Sequence, residues 1–153
     1  MRRREFKSTG MGGLDLHAQA WLPEGHVRAV FAVAHGLGEH SGRYATLADE
    51  LVAQGHAVYA IDHRGHGRSP GARANIERFD YLVSDFCAFT GRASRQHPDT
   101  PVFMLGHSMG GAVAFASALR LQGSLRGLVL SAPALGTDEV VAPGRRILAR
   151  ALS

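Results

Sequence analysis

Three apolar runs, VRAVFAVAHG, HAVYAIDHRG and PVFMLG, recur along the chain, each ended by glycine and each followed by a stretch that leads into helical spacing. Their residues do not alternate with polar ones, as a strand wet on one face would require, so each run reads as a strand covered on both faces. Parallel neighbours of that kind need long crossovers, and the intervening stretches provide them. HSGRYATLADELVAQG spaces Tyr44, Leu47, Leu51 and Val52 at helical intervals and closes on Gly55; NIERFDYLVSDFCAFTGRASRQHP carries Ile76, Phe79, Leu82, Val83, Phe86 and Cys87 and stops before Pro98. MGGAVAFASALRLQG gives a third helix and LRGLVLSAPAL a fourth strand. Ahead of them, FKSTG, the turn MGG and LDLHAQAWLP, with Leu14, Leu16, Ala18 and Ala20 on one face, form a β-hairpin. The class is α/β, a mostly parallel sheet with helices on both faces.

A chain of 153 residues, 45% of them hydrophobic, is long enough to bury such a core. The single cysteine, Cys87, excludes an intrachain disulfide, and a reduced cytoplasm is the expected compartment. The net charge of +4 rests on arginine, since Lys7 is the only lysine; Arg2 to Arg4 and the later Arg145, Arg146 and Arg150 are too sparse for a nucleic-acid stripe, so no nucleic-acid partner is expected. No stretch reaches the ~20 apolar residues of a spanning helix, and the basic start leads into EFKSTGMGG, not a hydrophobic signal core. A peripheral membrane contact through an apolar face stays open.

The third apolar run leads directly into GHSMGG. Gly106, Ser108 and Gly110 form G-x-S-x-G between a strand and a helix, the setting in which a sharp turn lifts a serine hydroxyl above a sheet. The amide of Met109 at the helix start and that of Leu37 in HGLGEH, after His35 and Gly36, are the natural pair of donors to an oxyanion. A phosphate-binding loop would need a lysine after the last glycine, and no lysine follows Lys7. Gly36, Gly38 and Gly42 have the wrong spacing for a dinucleotide fingerprint, so no cofactor is expected.

HGLGEHSGRY, DHRGHGRSPG and GHSMGG, in that order, resemble the monoacylglycerol lipase and lysophospholipase branch of the α/β-hydrolase superfamily, the serine aminopeptidase S33-like group. The resemblance implies a serine hydrolase that cleaves esters of a single acyl chain, with Ser108 as nucleophile and the Leu37 and Met109 amides as oxyanion hole. It implies a core over residues 1–135 and the start of a lid at 136–153, with RRILARALS as its first helix. It also places the catalytic Asp and His downstream of the serine. Here all nine histidines precede Ser108, and the only later carboxylates are Asp138 and Glu139, so neither residue is assigned in this chain. The expectation is therefore the N-terminal portion of a longer hydrolase, impaired by itself, with a small lipid ester as substrate. Two alternatives stand beside it: a non-catalytic module that associates through an open sheet edge, and an acyltransferase using the same acyl-enzyme.

Other residues have plainer readings. His35 holds the oxyanion loop's shape, and His107, next to the serine, points away from it. Asp62, His63 and His66, which with His35 or His40 superficially suggest a zinc site, belong to a glycine-rich turn that Asp62 and Arg64 shape through local hydrogen bonds, and no metal is assigned. Glu39, Arg43 and Tyr44 are loop and helix-start residues, and Cys87 is a small core residue.

Overall fold

The structure, a computed structural model, describes residues 1–135; the expected lid start at 136–153 lies outside the described residues. The elements are β1 (Arg2–Thr9), β2 (Asp15–Leu22), β3 (Ala29–Ala34), α1 (Ala45–Ala53), β4 (His56–Ile61), α2 (Phe79–Arg95), β5 (Val102–His107), α3 (Met109–Arg120) and β6 (Gly127–Ser131). They build one sheet in the order β1-β2-β4-β3-β5-β6. Strands β4, β3, β5 and β6 run parallel, and β1 and β2 join antiparallel at one edge. This is the α/β-hydrolase fold.

The apolar runs are explained by which residue meets which helix. In β4, Ala57, Tyr59 and Ile61 pack on the face covered by α2 and α3, where Phe86, Phe89 and Val113 are buried. Val58 and Ala60 turn to the other face and meet Trp21, Val33, Ala48 and Val52, under α1. Both sides of β3 and β4 are almost wholly dry, and in β5 the half-buried alternate positions Phe103 and Leu105 are also apolar, so no polar alternation survives in those runs.

Several expectations shift. α2 begins at Phe79, because Pro70 to Arg78 is folded into turns: Gly65 N–H donates to Pro70 O at 2.8 Å, Ala74 N–H to Gly65 O at 3.1 Å, and Ala74 has φ 51°. Ile76 and Phe79 are consequently exposed instead of facing the core. On α1, Ala48 and Val52 are the buried contacts and Leu47 faces outward. The hairpin connection is a 3-10 turn at Met11–Gly13, with Gly12 and Gly13 at φ 74° and 75°. Arg2 to Arg4 are part of β1, where the Arg3 guanidinium donates to Gln19 Oε1 at 2.5 Å and lies over the Trp21 ring. Cys87 is half-buried. No helix among the described residues is long and apolar enough to cross a membrane.

Candidate active site

Between the last residue of β5 and the first of α3 stands one residue, Ser108, with φ 52° and ψ −120°. An L-residue rarely adopts that conformation, and holding it costs about 1–3 kcal/mol. The surroundings determine it: Ser108 N–H donates to Ser131 O at 3.0 Å, and Ser108 O accepts from Gly111 N and Ala134 N, both at 2.9 Å. The flanking glycines are required by contact. A Cβ on Gly106 would lie 2.3 Å from Gly110 O, and one on Gly110 would lie 2.2 Å from Ala34 O and 2.4 Å from His35 O. The first turn of α3 thus rests directly on the backbone at the end of β3.

That contact brings the loop after β3 to the serine. A Cβ on Gly36 would sit 3.3 Å from Ser108 Cβ. Among the described residues, neither the Leu37 nor the Met109 amide donates to a protein acceptor. The loop itself is tightly bonded. His35, fully buried, donates from Nδ1 to Gly36 O at 2.8 Å and accepts the His63 N–H on Nε2 at 3.0 Å. Burial, with His66 nearby, overrides the favourable Gly36 bond and pushes its pKa down to about 4. Glu39 Oε2 accepts from Gly36 N–H at 3.0 Å and from Tyr44 Oη–H at 3.3 Å, while Arg43 approaches its other oxygen at 3.5 Å. Burial opposes ionisation of Glu39, but the Gly36 amide and Arg43 outweigh it and hold the carboxyl below its ordinary range. The Tyr44 hydroxyl is raised by burial and by that same carboxylate.

Glu39 is therefore more than the loop residue its sequence suggests. Its side chain takes the Gly36 N–H while its own N–H donates to Gly36 O at 3.2 Å, so backbone and side chain of one residue close the loop on Gly36 from both ends.

Asp62 joins two loops, accepting Ser41 N–H at 2.6 Å and Arg68 N–H at 2.8 Å. Burial opposes its ionisation, yet the Arg68 and Ser41 bonds lower its pKa. Arg64, expected to bond locally, instead reaches Asp85 on α2 at 2.8 and 3.0 Å and Met11 O at 3.2 Å, tying the turn to the hairpin tip. His63 is fully buried and kept neutral by burial and by His35 and His66. Among the described residues no three His, Cys, Asp or Glu side chains are grouped to hold a metal ion. His107 lies on the α1 side, its Nδ1 3.1 Å from Ser131 Oγ, in a cavity of about 380 Å³ shared with Glu39, Tyr44 and Leu47. No histidine ring among the described residues is hydrogen-bonded to Ser108 Oγ.

The family model described as serine aminopeptidase, S33, matches residues 25–153. The chain belongs to this family. It is similar to monoacylglycerol lipases: one from Mycolicibacterium smegmatis is 42% identical over 92% of this chain and 50% of its own length. The structure of a carboxyl esterase from Bacillus coagulans in complex with glycerol matches with a TM-score of 0.77 and 30% identity, over 85% of this chain and 44% of that one. That of a Paleococcus ferrophilus monoacylglycerol lipase matches with a TM-score of 0.71 and 31% identity, over 90% and 50%. The chain spans about half the length of the curated relatives it matches.

Proposed function

We propose that this S33-family chain carries the nucleophile and oxyanion hole of a serine hydrolase for carboxylic esters of single-acyl lipids, monoacylglycerols or lysophospholipids. Ser108 Oγ attacks the ester carbonyl. The oxygen that becomes negative is met by the amides of Leu37 and Met109, the alcohol leaves, and water releases the acid from the acyl-enzyme. The observation that carries this reading is the strained Ser108 backbone, set against Gly36, together with Leu37 and Met109 amides that have no acceptor among the described residues.

A serine needs a base to take its proton, and residues 1–135 place none at Ser108. The 153-residue chain on its own is accordingly expected to turn over ester many orders of magnitude below a complete triad. The test is a fluorophosphonate, which requires a single attack by the serine and no turnover; with no base at hand the reaction is slow and is aided by the oxyanion hole alone. A mass increment on the peptide containing Ser108, lost in Ser108→Ala, is expected. Modification elsewhere, or unchanged modification of Ser108→Ala, would overturn the assignment.

One observation favours a second reading, association without catalysis. Among the described residues β6 pairs only with β5, and its sequence GLVLS carries no charge along that open edge. Dimer formation by an unlabelled, inert chain would support it.

A further inference from the structure

We infer that His35 is a positioning residue for the oxyanion hole: its ring, held in one tautomer by the His63 amide, fixes the plane of the peptide whose other end is the Leu37 N–H. The inference rests on the reading of Leu37 as an oxyanion donor.

The carbonyl of Gly36 and the N–H of Leu37 are the two ends of one planar group. The peptide bonds of the described residues are all trans, so these ends point in opposite directions. Whatever fixes the carbonyl therefore aims the amide. Two donors fix it, His35 Nδ1 at 2.8 Å and Glu39 N at 3.2 Å. The Glu39 bond closes a turn within the loop, whereas the imidazole comes from the end of β3 and is itself anchored.

The anchor decides the tautomer. A backbone N–H can only donate, so the nitrogen receiving His63 N–H at 3.0 Å, Nε2, carries no proton. The proton of the neutral ring is then on Nδ1, where the Gly36 carbonyl needs it. The opposite tautomer would turn both contacts around, setting a bare nitrogen against a carbonyl oxygen and an N–H against an N–H. Protonation would spoil the second contact alone. The ring is fully buried, with the His63 ring 4.5 Å and the His66 ring 5.3 Å away, centroid to centroid, and its electrostatic surroundings also include the carboxylates Asp62 and Glu39. Burial outweighs those carboxylates, and the ring stays neutral until well below pH 6.

Substitution separates the two jobs of the ring. His35→Asn retains an N–H near the Nδ1 position, His35→Gln retains an acceptor near Nε2, and His35→Phe retains neither. Long-range ¹H–¹⁵N spectra of the whole ¹⁵N-labelled chain are expected to show His35 protonated on Nδ1 and bare on Nε2 from pH 8 to about 5. The Leu37 amide resonance is expected to hold its place in His35→Asn and to move in His35→Gln and His35→Phe. Phosphonylation of Ser108 should be near the parent rate in the Asn variant and about tenfold slower or worse in the other two. An Nε2–H tautomer, a ring charged at pH 7, or Asn and Phe variants that behave alike would overturn the inference. Should the variants fail to fold, the tautomer of the parent chain still decides it. Should Ser108 prove inert in the parent chain, the hydrolase reading falls, while the tautomer and the Leu37 resonance continue to report on His35 independently.

Discussion

The two edges of the sheet are built on opposite rules. β1, RRREFKST, places charged side chains along most of its length; Glu5 pairs with Arg68 at 2.6 Å and Lys7 with Asp15 at 3.2 Å, and the Arg92 guanidinium lies over Phe6. Such an edge resists a further strand because docking would strip water from charges. β6, GLVLS, offers only small and aliphatic groups; Val129 is 45% exposed on the α1 side, and on α3, across the sheet, Phe115 and Leu119 are 39% and 55% exposed. One edge ends the sheet, and the other is fitted to be covered.

The comparison breaks most visibly at the fastening of the β1 side. Asp85 is buried and takes hydrogen bonds from Arg64 and from Met11 N–H at 2.7 Å. Asp85→Ala leaves a nearly buried guanidinium unpaired, and a loss of about 3–5 kcal/mol is expected in urea unfolding. Retention of parent stability would mean that the hairpin is held without this tie.

Between the edges, acid is the probe. The His35 pKa of about 4 lies below the ordinary value of 6.5, so the unfolded chain binds a proton that the folded one refuses. Stability from this group is whole above pH 6.5 and declines as pH falls toward 4, by up to about 3 kcal/mol. Unfolding midpoints across that interval should fall at least this steeply, since His63 is held neutral as well, and His35→Asn should remove the His35 share.

Val129→Lys puts a charge on the aliphatic edge. Any self-association measured by sedimentation should weaken about tenfold or more, with stability changed by less than ~1 kcal/mol. The smallest effect is expected at Arg4, exposed and donating to Gln96 at 3.0 Å: Arg4→Ala should alter stability by no more than ~0.5 kcal/mol. A larger change there, or none in the association of Val129→Lys, would erase the distinction between the edges.

Much of this was legible in the chain. Burial on both faces leaves an apolar run, and a strand-to-helix turn that admits no Cβ leaves G-x-S-x-G, so element order and the Ser108 turn were readable locally. What escaped depends on partners far away in sequence. Arg64 was assigned a local bond because nothing near it announces Asp85, 21 residues on. Leu47 fits a helical stripe, but the gap beneath α1 is filled by Ala48 and Val52, leaving Leu47 outside. Spacing alone extends α2 too far toward the N-terminus, because Ile76 shares the period of the helix while its backbone belongs to the preceding loop. The hydrogen bond that His35 Nε2 accepts from His63 likewise requires the loop after β4, which only the fold brings near.

The bare contact of Gly110 on the Ala34 and His35 carbonyls has a mechanical consequence. With no side chain interposed, the spacing between the nucleophile's helix and the neighbouring loop is a sum of atomic radii, indifferent to which aliphatic residues fill the interior. Drift in the core can therefore proceed over long evolutionary times without detuning that gap, whereas a single methyl group at the junction would wedge it open.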